Sequence, residues 1–208
     1  MLSFTEPIVA VRLSCGGRTG ITLYAPPWED TDGEQWQGFL GDGAKIVLLG
    51  TADELNTWLG DNPEHDLADH PAWPAFAKRG KKVLEPAEDA DYDFEAVYEL
   101  AAGEASEESV DELADIVDLA GRIADCCEDG KLRVLLGRTR EYALLVEREL
   151  DYTDGKDGQA EWSQLGDVVA DSWERAVDRI ESWLSWQGTA AAVVDDTGAD
   201  TESHDDSH

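Results

Sequence analysis

The sequence predicts an α+β domain: a small antiparallel N-terminal sheet packed with helices, then a mainly helical C-terminal half and a disordered acidic tail. Three observations carry that reading. Residues 8–50 alternate apolar and polar positions between glycine-bearing turns. Two later stretches repeat apolar residues every three or four positions. The last twenty residues hold six Asp or Glu, no Lys or Arg, and little that could be buried. These patterns imply one body over residues 1–188, sheet-rich over 1–77 and helix-rich over 94–187, with 189–208 as the tail.

Val9, Val11 and Leu13 alternate with Ile8, Ala10 and Arg12. Gly16, Gly17 and Gly20 then supply a turn, and Ile21–Tyr24 form the return strand that Pro26 and Pro27 stop. Trp36, Gly38 and Leu40 alternate in the same way, and Gly41–Asp42–Gly43 turns into the short apolar run Lys45–Leu49, which suits a strand covered on both faces. The glycines of the Gly16–Gly20 stretch superficially resemble a phosphate cradle. No helix follows them and no Lys-Ser or Lys-Thr pair is present, so they read as a hairpin turn.

Thr51 and Glu54 fit a capping box, which starts a helix with Leu55, Trp58 and Leu59 on its apolar face and Gly60 at its end. Asn62 followed by Pro63 offers a second N-cap, for a short helix that Pro71 closes, with Trp73 and Phe76 as anchors against the sheet. Residues 78–93 change from the basic Lys78–Lys82 run to an acidic stretch and read as an exposed connection. Phe94, Val97, Tyr98 and Ala101 mark a short helix. Ser109 and Glu112 suggest the head of a long helix ending near Gly130, with Val110, Leu113, Val117, Ala120 and Ala124 along its stripe. Leu132–Leu136 and Tyr142–Val146 fit either two strands about the turn at 137–140 or pieces of helix, and strand is the favoured reading. The last helix, residues 159–186, carries Trp162, Leu165, Val169, Trp173, Val177, Ile180 and Leu184 on one face.

Charge is the strongest anomaly. The chain of 208 residues carries a formal net charge of −31 at pH 7, and setting the acidic tail aside still leaves −25 on residues 1–188. Such a surface repels phosphate backbones and anionic lipid headgroups and attracts basic partners; solubility alone is the plainer explanation of the same bias. Direct binding of nucleic acid or membrane is therefore disfavoured, and a basic protein partner is expected. Neither an export signal nor an apolar stretch long enough to span a bilayer is read from the sequence. Cys15 stands alone, while Cys126 and Cys127 are adjacent and point about 100° apart on a helix, so no disulfide framework, zinc spacing or redox pair is indicated and a reducing cytoplasm is implied.

No catalytic or cofactor signature stands out, and no cofactor is expected. Four groupings could bear chemistry. Trp28, Trp58, Trp73 and Phe76, framed by carboxylates, could dock a partner. His65, Asp66, Asp69 and His70 could hold a divalent ion and, through it, a hydrolytic water, if the i, i+4 pairs His65/Asp69 and Asp66/His70 share helix faces; solvated Asp and packed His are the ordinary alternative. Lys78, Arg79, Lys81 and Lys82 beside Trp73 and Phe76 are the combination suited to a nucleic-acid strand, or else a helix-end charge bias paired internally. The acidic residues between Glu88 and Glu108 could imitate DNA phosphates if displayed along a helix, or form a solvated face.

The segments Leu23–Gly41, Glu64–Phe76, Tyr98–Gly103 with the Ser-Val-Leu helix after it, and Gly158–Ile180 resemble, in the same order, a group of acidic actinobacterial proteins known as primosomal proteins. The likeness spans most of residues 8–184 and is weakest over 131–152. It implies an intracellular protein associated with replication, without a catalytic residue to carry over. An acidic, non-enzymatic interaction protein, an accessory of replication or nucleoid machinery, is the leading expectation; a metal-assisted hydrolase and a DNA mimic or single-strand binder are the alternatives.

Overall fold

The computed structural model of the protein describes residues 6–29, 33, 35–43, 45–137, 139–153 and 155–191; residues 192–208, most of the acidic tail anticipated above, lie outside them. The fold is α+β, with a six-stranded mixed sheet covered on both faces.

Strands β1 (Val9–Cys15) and β2 (Arg18–Glu29) form the first hairpin, with Val9 opposite Tyr24 and Cys15 opposite Arg18. Its two-residue turn is Gly16–Gly17, both at positive φ (62° and 67°), which is why glycine occupies both places. The long β2 is then shared. Its first half meets β4 (Ile46–Leu49) at Ile21↔Leu49, and its second half meets β3 (Gln35–Phe39) from Tyr24↔Phe39 to Glu29↔Gln35, with a register shift between Ala25 and Trp28. The shift falls at Pro26–Pro27, which cannot donate to a ladder.

Two strands escaped the sequence reading, and they make the sheet mixed rather than antiparallel. β5 (Asp91–Asp93) lies parallel to β1, in the segment read as an exposed connection. β6 (Leu184–Gln187) lies parallel to β4, at the position read as the end of the last helix. The order is β5-β1-β2-β4-β6, with β3 beside β4 along β2.

Alternation along the strands divides the interior in two. Val11, Leu13, Cys15, Tyr24, Ile46 and Leu48 face the larger core with the C-terminal helices, and Ala10, Ile21, Leu23, Ala25, Val47 and Leu49 face a smaller one. All four residues of β4 are buried for this reason, as a strand covered on both faces requires. The smaller core is closed by α1 (Ala52–Asp61), α2 (Trp73–Ala77) and the 3-10 turn Lys81–Leu84 through Leu55, Phe76 and Leu84, with Leu67 added from the segment between α1 and α2.

The larger core is built on α3 (Val97–Ala102), α4 (Glu107–Cys126), α5 (Gly130–Gly137), α6 (Arg140–Val146) and α7 (Gly155–Glu181). Helix α4 starts one turn earlier than Ser109–Glu112 implies: Ser106 is its N-cap, accepting from the Ser109 amide while the Ser109 hydroxyl accepts from the Ser106 amide. Leu132–Leu136 and Tyr142–Val146, for which strand was favoured, lie instead in helices α5 and α6, because Leu132 with Leu136 and Tyr142 with Leu145 fall on faces buried against α4 and α7. Trp173 on α7 is fully buried and donates from Nε1 to the Phe94 carbonyl at 2.7 Å, fixing α7 to the end of β5.

The chain's far end returns to its middle. Glu54, in the first turn of α1, accepts from the Gly50 amide at 3.0 Å and from the Thr189 hydroxyl and amide at 2.8 and 3.1 Å. Thr51 caps the same helix by accepting from the Glu54 amide.

Candidate functional site

Residues 62–77 bind the smaller core to the β3–β4 turn and gather the aromatic side chains singled out above. The helix expected from Asn62 does not form. Amides of Ala68, His70 and Trp73 each reach the carbonyl three residues back, giving successive turns, while the Asp66 amide is drawn to the Gly41 carbonyl at 3.1 Å. Pro63 is compatible with a helix start and Pro71 would end the helix, but the Asp66 amide is spent on Gly41 and the successive turns satisfy the backbone instead.

The four proposed metal ligands do not converge. His65 is 5 % exposed and sets its ring edge-on to Trp73, centroids 4.2 Å apart, with Trp58 at 6.4 Å. His70 is 2 % exposed, lies 5.8 Å from Trp28, and its Nδ1 accepts from the Ala72 amide at 3.1 Å. Asp66 turns toward the β3–β4 turn and accepts from the Gly43 amide at 3.1 Å, and Asp69 is exposed. Among the described residues no group of three or more His, Cys, Asp or Glu is placed to hold a metal ion. Burial pushes both imidazoles below the ordinary histidine range, with the Asp66 charge partly opposing this at His65.

The aromatic candidates separate by exposure. Trp28 is 37 % exposed on the β2–β3 arm, and Trp58 and Trp73 are half-buried. Phe76 is a correction: it stacks on Trp73 at 5.6 Å but is buried in the smaller core, so it holds the indole from below and offers no surface to a partner. The basic run is also partly spoken for, since Arg79 pairs with Glu6 at 2.6 Å and Lys81 with Asp53 at 2.5 Å; Lys78 and Lys82 are exposed. The acidic stretch 88–108 does not follow one helix but passes through turns, β5 and α3, so it does not present a regular row of carboxylates.

Behind the aromatic segment runs a cleft of about 450 Å³ between the β3–β4 turn and the end of α4, lined by Phe39, Lys45, Asp66, His70, Cys126 and Trp183 among others. Its thiols are poor nucleophiles: burial raises Cys126 to about 12 and Cys127 to about 11. Sequence reasoning missed this cleft because its walls come from stretches far apart in the chain, around residues 25, 37–46, 66–70, 126–128 and 183.

Fold and site together define a two-faced α+β domain with a row of indoles carried on one side of its sheet. The chain belongs to the SatS C-terminal domain family, whose model matches residues 8–181. It is also similar to a crystal structure of the SatS C-terminal domain in complex with bromine, at 25 % identity and a TM-score of 0.60, over 86 % of this chain and 93 % of that one. No curated protein matches. Strand β6 lies just past the residues that the family model covers. Among the described residues no helix is long and apolar enough to cross a membrane.

Proposed function

We propose that this domain is a non-enzymatic docking module that binds basic segments of protein partners in the reducing cytoplasm, where its three free cysteines would stay as thiols. The observation that carries the reading is the row of Trp28, Trp58 and Trp73, partly exposed and braced from within by His65, His70 and Phe76, on a chain of net charge −31. Indoles braced in this way supply contact area at little cost in side-chain entropy, and the surrounding negative potential accelerates encounter with cations. Association with replication, implied by the resemblance to primosomal proteins, would make such a partner a basic replication or nucleoid protein.

Affinity capture at low and at moderate salt tests this reading. The expected result is a basic partner retained at low salt, lost progressively as salt screens the attraction, and weakened by a Trp28→Ala/Trp73→Ala double change. Recovery of no basic protein at either salt concentration overturns it.

A further inference from the structure

Helix α1 presents an unusual end. Its last turn contains no basic residue, and its final residue is a carboxylate, Asp61. The exposed carbonyls of a helix C-terminus already carry partial negative charge, so Asp61 adds to that potential where a cation would relieve it. No ion pair to Asp61 forms among the described residues, although the rest of the helix is well served: Thr51 and Glu54 close its N-terminus, and Asn62 caps its end through the Trp58 carbonyl at 2.8 Å.

Beside this helix end lies a groove of about 380 Å³ between α1 and the turn that follows β6. Leu49 and the half-buried Trp58 form its floor, Gln187 and Gly188 the far wall, and Asp53 and Asp61 the rim. Trp58 and Asp61 stand three residues apart, neighbours on one helix face. Asp53, about two turns before Asp61 on the same helix, already holds the ammonium of Lys81. Glu54 also borders the groove, but its carboxylate is occupied by the amides of Gly50 and Thr189 and the Thr189 hydroxyl. Glu54 adds its charge to the groove with its oxygens already engaged, so Asp61 is the carboxylate left to make a direct ion pair, next to an indole.

We propose that this groove seats one cationic side chain of a partner protein, an arginine or lysine laid across Trp58 with its charge against Asp61 and the carbonyl end of α1. The assignment rests on the docking reading above and gives it a specific contact. The side chain's methylenes cover Trp58, its charge faces the ring's negative quadrupole, and Asp61 supplies the counter-ion. An anionic side chain would be repelled by the carboxylates of the same groove.

Titration of the full chain with an acetylated, amidated Gly-Arg-Gly-Arg-Gly peptide, followed by amide and indole NMR shifts at low salt, tests this, with Gly-Ser-Gly-Ser-Gly as control. The expected result is that the largest shifts fall on the Trp58 indole N–H and the Asp61 amide. Asp61→Asn, an exposed change that leaves the core intact, should weaken binding about fivefold, and Asp61→Lys should abolish the Trp58 shift. If the arginine peptide binds with its shifts at Trp28 or Trp73 and Asp61→Asn binds as tightly as the parent, the groove assignment falls while the docking reading stands. If neither this peptide nor a longer polyarginine binds the parent at low salt, the docking reading falls and takes the groove with it.

Discussion

Asp129 and Arg179, fifty residues apart in the chain, meet through one carboxylate oxygen: Oδ2 accepts from Nε at 2.8 Å and from Nη2 at 2.6 Å. The same oxygen accepts from Trp183 Nε1 at 2.8 Å, while Oδ1 takes the amides of Lys131 and Leu132 at the start of α5. Asp129 thus caps one helix, anchors the end of another and positions the residue that leads into β6. Burial by itself would raise its pKa; the hydrogen bonds from Trp183, the two amides and Arg179 outweigh it and bring the group down to about 2.

Removing this carboxylate strands a partly buried guanidinium and uncaps α5. Asp129→Ala is expected to cost about 3 kcal/mol or more, read as a lower urea midpoint at constant slope. Because the folded-state pKa lies below that of the unfolded chain, the group contributes its full stabilisation above about pH 4 and loses it as pH falls toward 2. Asp129→Asn should flatten the acid limb of the stability profile in that window.

The two buried histidines act at higher pH. Their folded-state pKa values lie below the ordinary 6.5, so the unfolded chain takes up protons first, and stability falls as pH drops below about 6.5. Melting temperature should therefore decline between about pH 7 and pH 5, before the Asp129 transition begins. A His65→Gln/His70→Gln variant that shows the same decline would place its origin elsewhere.

The latch between Glu54 and Thr189 predicts a local effect. Glu54→Ala should leave the melting of the helical layer little changed while speeding amide exchange at Thr189 and Gly50. Gly50→Ala should act more severely, since a Cβ there runs into the Thr189 hydroxyl and approaches the Ala190 backbone nitrogen to 2.9 Å. A displaced 188–191 turn, seen as altered shifts at Gln187 and Trp58, is the expected sign.

Trp173 tests the joint between α7 and β5. Trp173→Phe removes a buried indole N–H from the Phe94 carbonyl and leaves a small void, at an expected cost of about 2–4 kcal/mol by chemical denaturation. A loss under about 0.5 kcal/mol would mean that the carbonyl finds another donor.

Much of this architecture was legible in the residues. The β1–β2 hairpin follows from alternation and Gly16–Gly17, the doubly covered β4 from its unbroken apolar run, and α4 and α7 from stripes long enough to display their period. Strands of three and four residues such as β5 and β6 show no period at all; their parallel partners, β1 and β4, are distant in sequence, so only packing reveals them. The same brevity misled the reading of α5 and α6, where a few apolar residues fit either structure until α4 and α7 fix the buried face. At the candidate site, the excess of Trp and acid was visible, but the loss of the 62–71 helix was not, because the Gly41 carbonyl that draws the Asp66 amide away is a tertiary partner. The groove at Trp58 was equally hidden, its far wall being Gln187 and Gly188.

Strand β6 also dictates when the molecule can be finished. Ile46–Leu49 is made well before its outer neighbour, Leu184–Gln187, which follows α1 to α7. A ribosome-bound nascent chain therefore carries a raw, unpaired border until Leu184–Gln187 has emerged, and truncations that stop short of Gln187 should be prone to clump through that border.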